Sequence, residues 1–511
     1  MPPKSLLRTR IKVCLWGTEI GTLTWNPVKK NSFFHFSPDY FSLPYDICPL
    51  THPKGSPSAR FAIDGENEKG GDRSKEIYRS LPPFLADSLP DRWGNAIFER
   101  WFKENRDTVR ELTPLTKLAF IGKRAMGALE FIPAIEDKTK DEVDLSSLYR
   151  EALALEKELL EKNVPAGSGV TIKALKALGT SPGGRQMKAI VSLTPSGRYV
   201  SGQTSTDREN KHCIIKFNTP EHCLSEIEQT YYELARLSGI DMMDSRLIEI
   251  DGIRHFLTER YDRKDGEKIF TQTLAAINPE AETYEDLFKT ARRLNLTELE
   301  IRELFRRTAF NFLMNNTDDH RKNFSFLMGR DGIWHPTPAY DLNFILSTDG
   351  NSPEEFHCMS LAGKMHGVTI KDLLEFGKRQ GIKNPKEIID IILASSKEFE
   401  RIATGNGVDA YHQELILSQL DKLSGTQKET PKTAFQCAGL LIDDLYFERT
   451  PKGNIHMYAE LYGRKEKLVV TPKKALYGKI VDSGFNRMPK DKKKELFKEH
   501  LLPIISSRYG L

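Results

Sequence analysis

The sequence predicts an α+β fold in two lobes, preceded by a β-rich N-terminal portion and followed by an extra small α+β unit. Three observations carry this. Alternating apolar and polar residues dominate the first part, as in Ile11, Val13 and Leu15. Helical spacing dominates residues 297–312 and 369–423, where apolar residues recur every three or four positions. Between these helical stretches lies Met314 to Asp341, MNNTDDHRKNFSFLMGRDGIWHPTPAYD, a polar loop, a hairpin pattern and an acid in succession. The divisions expected are 1–135 for the β-rich portion, 136–265 for a first lobe with a glycine-rich loop, 266–423 for a helical lobe, and 424–511 for an accessory basic unit.

In chain order, Gly17-Thr18 turns the first strand towards Ile20, Leu23 and Trp25, and Phe33, Phe34 and Phe36 supply a further strand. Residues 51–80 are rich in Gly, Ser and charge and read as a surface excursion. Asp91 or a neighbour starts a helix carrying Trp93, Ile97, Phe98 and Trp101, a spacing that reads as core packing. The run LAFIGKRAMGALEF, with Gly122 and Gly127, suggests tight turns in a small β-rich unit. Residues 136–163 read as an amphipathic helix stopped before Pro165.

The following stretch changes character. Gly179 to Gln186 is a glycine loop containing Ser181, Gly183 and Gly184, followed by strands at Lys188–Val191 and Ile214–Phe217. A loop poor in Cβ atoms lets backbone N–H groups approach phosphate oxygens, although an ordinary hairpin turn has the same appearance. Lys216 ends the second of these strands, and Glu228 sits on a helix starting near Ser225. Taken singly they read as a surface lysine and a helix-face charge. Together with the loop they match a strand lysine held by a helix glutamate on nucleotide phosphates. Beyond His255–Thr258, residues Glu259 to Asp262 fall where a hinge between lobes offers backbone to an adenine, which makes Glu259 and Tyr261 candidates. Thr297 and Glu300 form a capping box that opens a buried helix beneath the polar loop.

In that loop Asp318 and Asn323 stand as D-x-x-x-x-N, followed by Phe324–Leu327, a GRDG turn, Ile333-Trp334 and Asp341. Phosphoryl transfer needs positioning and charge neutralisation more than covalent chemistry. Asp318 would orient an attacking hydroxyl and accept its proton. Asn323 and Asp341 offer magnesium the hard oxygen ligands it prefers. The D-x-x-x-x-N spacing alone is weak, and a polar loop capping the preceding helix is the plain alternative.

Composition narrows the class. The chain has 511 residues, a net charge of +4, 39% hydrophobic and 29% charged residues, as in ordinary soluble proteins. Six scattered cysteines without a C-x-x-C pair argue against a zinc site or a disulfide framework. No apolar run approaches the roughly 18 residues of a membrane span, so a cytoplasmic protein without membrane contact is expected. After Ser424–Thr433, read as a linker, come strand candidates at Tyr446-Phe447, Ile455–Leu461 and Lys467–Val470. Lysines and arginines cluster from Lys473 to Lys494, a tail that could touch nucleic acid directly but more often is a solvated face.

The run NNTDDHRKNFSFL, the segment Pro338-Ala339-Tyr340-Asp341-Leu342, and the IGTL, LPDRWG and IGKRAMGALEF runs together resemble the HipA family of bacterial serine/threonine kinases, toxins of type II toxin–antitoxin modules. The likeness covers roughly residues 8–423. It implies a HipA-like, protein-kinase-like fold that uses ATP and Mg2+, with Asp318 as catalytic aspartate and Asn323 and Asp341 as magnesium ligands. Lys216 would contact ATP, alongside Glu228, Lys188 and the glycine loop. Ser181 falls at the family's autophosphorylation serine, where an added phosphate of nearly two negative charges would repel ATP. His320 is expected to order the catalytic loop by hydrogen bonding. The resemblance further implies a protein substrate such as an aminoacyl-tRNA synthetase, and a HipB-like helix-turn-helix antitoxin that binds operator DNA. Two departures stand out: Asn315 replaces the usual glycine before the N-T-D-D-H run, and residues 425–511 lie outside the pattern. A non-catalytic pseudokinase acting as corepressor and a lipid or small-molecule kinase are the rival readings.

Overall fold

The computed structural model describes residues 10–65, 78–104, 113–134, 142–160, 186–220, 222–346 and 353–424, and beyond these a set of short strands and residues 489 and 492. The chain divides into two compact units, one of residues 1–345 and 355–409, the other of 346–354 and 410–511.

The first unit begins with a five-stranded antiparallel sheet in the spatial order Ile63–Asp64, Asn31–Phe36, Thr18–Asn26, Arg10–Leu15, Leu129–Ile132. Ile11, Val13 and Leu15 are buried at alternate positions, the period-two pattern of a half-buried sheet, and Ile20, Leu23 and Phe34 are buried with them. The helix Arg92–Glu104 buries Trp93, Ile97, Phe98 and Trp101 as its spacing predicts.

One expectation is corrected in this portion. The stretch 118–131 is not β-rich throughout, because residues 118–121 end the helix Pro114–Ile121. Thr113 and Thr116 form its capping box and Pro114 occupies its first turn. Residues 115–121 are all buried, so the helix has no polar face from which a helical period could be read. The two glycines do turn the chain, at φ +55° for Gly122 and +74° for Gly127.

A second five-stranded antiparallel sheet follows, in the order Tyr199–Ser201, Lys188–Leu193, Lys211–Lys216, Ile253–Glu259, Ser245–Ile250. Its central strand pairs Lys216 with Lys188 on one side and with Phe256 on the other, so both lysines sit at one end of the sheet. The helix Leu224–Leu237 packs on this sheet through Ile227, Tyr231, Leu234 and Ala235. On the other face lies a core built of Met187, Ala189, Val191, Cys213, Ile215, Phe217 and Leu257, closed by Trp93 and Ile97 from the N-terminal portion.

Helices dominate the rest of this unit. The helix Glu298–Leu313 carries the expected capping box, Thr297 accepting from Glu300 N while Glu300 accepts from Thr297 N at 2.7 Å. It buries Ile301, Leu304, Phe305, Ala309 and Phe312, each large apolar side chain contributing about 1.5–3 kcal/mol. A three-stranded antiparallel sheet of Phe270–Thr273, Ser325–Met328 and Trp334–Pro336 frames the polar loop. Three helices follow, Ile370–Arg379, Pro385–Ser396 and Phe399–Asn406.

The second unit contains the helix Ala410–Ser424, a two-stranded sheet of Phe435–Cys437 with Leu440–Ile442, and a three-stranded antiparallel sheet of Asp444–Arg449, Ile455–Leu461 and Arg464–Val469. The strands contain the candidates read at Tyr446-Phe447 and Ile455–Leu461. Of the basic tail only Lys492 is described, and it is exposed. Among the described residues no helix is long and apolar enough to cross a membrane.

Candidate active site

The helix Glu298–Leu313 stops where Met314 N closes its last bond, to Phe310 O, and Asn315 turns the chain at φ +52°. Left-handed backbone is cheap for Gly and tolerable for Asn, so Asn315 meets the conformational demand that glycine would otherwise meet. Tyr231 Oη donates to Met314 O at 2.7 Å, tying the turn to the helix beside the second sheet.

The loop is organised by its second aspartate. Asp319 is fully buried and accepts from Tyr284 Oη at 2.5 Å, His357 Nδ1 at 2.8 Å and Cys358 N at 2.7 Å. Behind it Asn311 donates to Tyr284 Oη at 3.0 Å, and Asn316 donates to Asn311 Oδ1 at 2.9 Å. Asp318, its neighbour, is half exposed and lines a cavity with Lys216, Glu228 and Asp341. Burial, with Asp341 and Asp319 nearby, raises the Asp318 carboxyl above the usual aspartate range despite the opposing pull of His320.

His320 takes part in the loop's hydrogen bonding through its backbone, His320 O accepting from Asn323 N at 2.8 Å. Its Nε2 stands 3.6 Å from Asp318 Oδ1, ion-pair distance but beyond a hydrogen bond, and its buried Nδ1 has no hydrogen-bond partner among the described residues. The side chain that ties the loop to the core is Asp319, whose role the sequence did not announce. The Asp-Asp dipeptide was the available signal, since one acid facing a cleft leaves its neighbour facing the core.

Asn323 donates its side-chain amide to Asp318 O at 2.7 Å, and its backbone N–H bonds to His320 O at 2.8 Å. With the nitrogen so engaged, the amide oxygen lies on the opposite side of the group. Asn323 lines a second cavity together with Lys188, Lys216 and Asp341. Asp341 arrives after the hairpin at φ +52°, a conformation that costs an ordinary residue about 1–3 kcal/mol and collects at functional sites.

Lys216 joins the two halves. Its ammonium is bonded to Glu228 from the helix and to Asp341 from beyond the hairpin. Burial alone would lower its pKa, but Asp341 and then Glu228 more than offset this and leave it raised. In turn Asp341, which burial alone would raise, is held below its usual value by Lys216 and Lys188. Glu228 is pushed up by burial, only partly offset by Lys216, with Asp341 adding to the rise. One lysine thus bonds two carboxylates, the buried Glu228 and the part-buried Asp341.

Lys188 lines both cavities and is paired with Asp91. The cavity shared by Lys216 and Asn323 continues past Ile214, Met243 and Thr258 to Glu259, Arg260 and Tyr261. Tyr261 stacks on Tyr340 with ring centres 5.5 Å apart. The carboxylate of Glu259 pairs with Lys211 at 2.6 Å. Ser181, Gly183 and Gly184 lie outside the described residues.

The donors gathered are carboxylate and amide oxygens, the set magnesium takes beside phosphates, so Asn323 and Asp341 suit that ion. Two lysines in the same cavities suit a polyphosphate. Asp318, Asn323, Asp341, Lys216, Glu228 and Lys188 are brought together, with the Glu259–Tyr261 segment at the far end of the cleft.

Two family models match the chain, the HipA N-terminal domain over residues 11–132 and the HipA-like C-terminal domain over residues 180–401. A putative kinase of Haemophilus influenzae is 23% identical over 295 residues, which are 50% of this chain and 83% of that protein. The fold matches that of a chain in the complex of the Shewanella oneidensis MR-1 toxin–antitoxin proteins HipA and HipB with operator DNA. That match has a TM-score of 0.56 at 17% identity and covers 81% of this chain and 97% of the other. The two domains in tandem, with a kinase-like fold around a lysine–glutamate–aspartate cluster, place this chain in the HipA family.

Proposed function

We propose that this chain is an ATP- and magnesium-dependent serine/threonine protein kinase, a HipA-like toxin acting on a cytosolic protein. The observation that carries the reading is Lys216, fixed between Glu228 and Asp341 in a cleft that also holds Asn323 and Asp318. Lys216 would hold the nucleotide phosphates, and Asn323 and Asp341 would hold magnesium. When bound, magnesium neutralises the charge that develops on the phosphates during transfer. Asp318 orients the substrate hydroxyl and accepts its proton as the new oxygen–phosphorus bond forms and the bond to the β-phosphate oxygen breaks. The segment Glu259–Tyr261 would offer backbone to the adenine, with Tyr261 stacked on Tyr340 forming the adjoining wall.

The same reading assigns Ser181 as an autophosphorylation site that shuts the kinase off by repelling ATP, and an aminoacyl-tRNA synthetase as a suitable target. A HipB-like antitoxin with operator DNA is the proposed partner, supported by the Shewanella HipA, which was solved with HipB and its operator. The test is phosphoproteomics in cells expressing the wild type beside Asp318→Asn. New phosphoserine or phosphothreonine sites seen only with the wild type are expected, and identical phosphoproteomes would reject the reading.

A further inference from the structure

We propose that Asp91 is a positioning residue for the phosphate grip, holding the Lys188 ammonium at the cleft so that the N-terminal β-rich portion completes the nucleotide site. The inference rests on the kinase reading above and extends it to a residue outside both lobes.

The geometry is specific. Asp91 Oδ2 lies 2.9 Å from Lys188 Nζ, and each side chain is only 5% exposed. The carboxylate itself is fixed, because its Oδ1 accepts from Gly94 N at 2.6 Å while Asp91 O accepts from Asn95 N at 2.8 Å. Two residues on, the Trp93 indole donates to Lys188 O at 3.0 Å, and Trp93 is itself buried. One short run therefore grips both the backbone and the side chain of one lysine. That lysine opens the strand Lys188–Leu193 and lines both cavities that meet at Lys216 and Asp341.

The electrostatics point the same way. Lys188 helps hold Asp341 below its usual pKa, so its charge is felt at the acid that would carry the metal. Burial raises Asp91, and nearby Asp341 adds to the rise while Lys188 opposes it. A buried ion pair seldom stabilises a fold better than an apolar pair of similar volume. A pair kept at the wall of a cleft, with its cation facing in, is instead suited to holding a charge where an anionic ligand arrives. Asp91 takes one donor hydrogen of the ammonium and so restricts where the group can sit.

The test is direct binding of ATP, ADP and adenosine to the full-length chain by calorimetry, for wild type, Asp91→Asn, Lys188→Met and the double variant. Asp91→Asn is expected to weaken ATP and ADP about tenfold or more, the scale of one charge-assisted hydrogen bond, and to leave adenosine within about twofold. In the Lys188→Met background the Asp91 substitution is expected to add less than about twofold, because the two act through one contact. Equal weakening of ATP and adenosine, unchanged ATP binding, or a full multiplicative loss in the double variant would each overturn the proposal. If Asp91→Asn melts below the assay temperature, Asp91→Glu is used instead, since its longer carboxylate displaces Lys188. A fall in ATP relative to adenosine affinity supports the role, and an unchanged ratio overturns it. A wild type that binds neither ATP nor adenosine defeats the kinase reading itself, whereas normal wild-type binding with an indifferent Asp91→Asn defeats this inference alone.

Discussion

Replacing Asp319 with alanine strips the loop of the acceptor that holds it. The carboxylate is fully buried and receives Tyr284 Oη, His357 Nδ1 and Cys358 N at 2.5, 2.8 and 2.7 Å. Hydrogen bonds to a charged group contribute about 1.5–3 kcal/mol each, but bonds sharing one acceptor are not additive. Most of the loss comes from leaving two buried donors, Tyr284 Oη and His357 Nδ1, without this acceptor, while Cys358 N keeps Thr317 O at 3.3 Å, which sets the total at roughly 3–5 kcal/mol. At about 2 °C per kcal/mol, the melting temperature should fall by roughly 6–10 °C. Activity should fall further than stability explains, because Asp318 is the next residue and a shift near 1 Å costs about a hundredfold in rate. Lys216, Glu228 and Asp341 sit on other segments, so ATP binding should survive. The assays are calorimetric melting, ATP titration and phosphate transfer on the same preparation. A variant that melts within about 2 °C of wild type and transfers phosphate normally would refute the role given to Asp319.

The remaining expectations concern charge. Lys216→Met leaves Glu228 and Asp341 facing one another without their cation, so ATP binding should be lost and chemical denaturation should show a loss of about 3–5 kcal/mol; retained ATP binding would contradict it. Because Asp318 is raised by its surroundings, kcat/KM should decline on acidification with an inflection above the ordinary aspartate value of about 4, the base being protonated and unable to accept a proton. An inflection at or below that value would contradict the assignment. Asp262, although burial alone would raise it, is held well below the usual carboxylate range by Arg260 and Arg263. Its contribution is present above about pH 4 and is lost as pH falls from there towards the lower folded value. Wild type should therefore lose stability below about pH 4 more steeply than Asp262→Asn, and parallel denaturation curves would reject this.

The readable parts of this chain were those governed by local rules. The Thr297–Glu300 cap, the hairpin after Asn323 and the aromatic face of the helix Arg92–Glu104 follow from spacing alone, and the structure has each of them. The carboxylates and lysines of the cleft were legible as types because the phosphoryl transfer proposed above calls for such groups. Their convergence was not, since Lys216 and Asp341 meet across 125 positions through two sheets and a helix. The helix Pro114–Ile121 was obscured by being buried on all sides, which removes the periodicity that reveals a helix. Asp319 and Asp91 were hidden for a shared reason. Each is a buried acid whose partners, His357 and Lys188, are distant in sequence, and no local pattern announces such a pairing. Asn315 shows the converse: a departure from the expected glycine that the left-handed backbone at φ +52° explains.

The most direct test is transfer of labelled γ-phosphate from ATP to protein hydroxyls by purified wild type and by Asp318→Asn, side by side and with magnesium. Incorporation by the wild type, with loss in a variant that melts and binds ATP as the wild type does, is the predicted result. Equal incorporation by the two proteins would contradict the account.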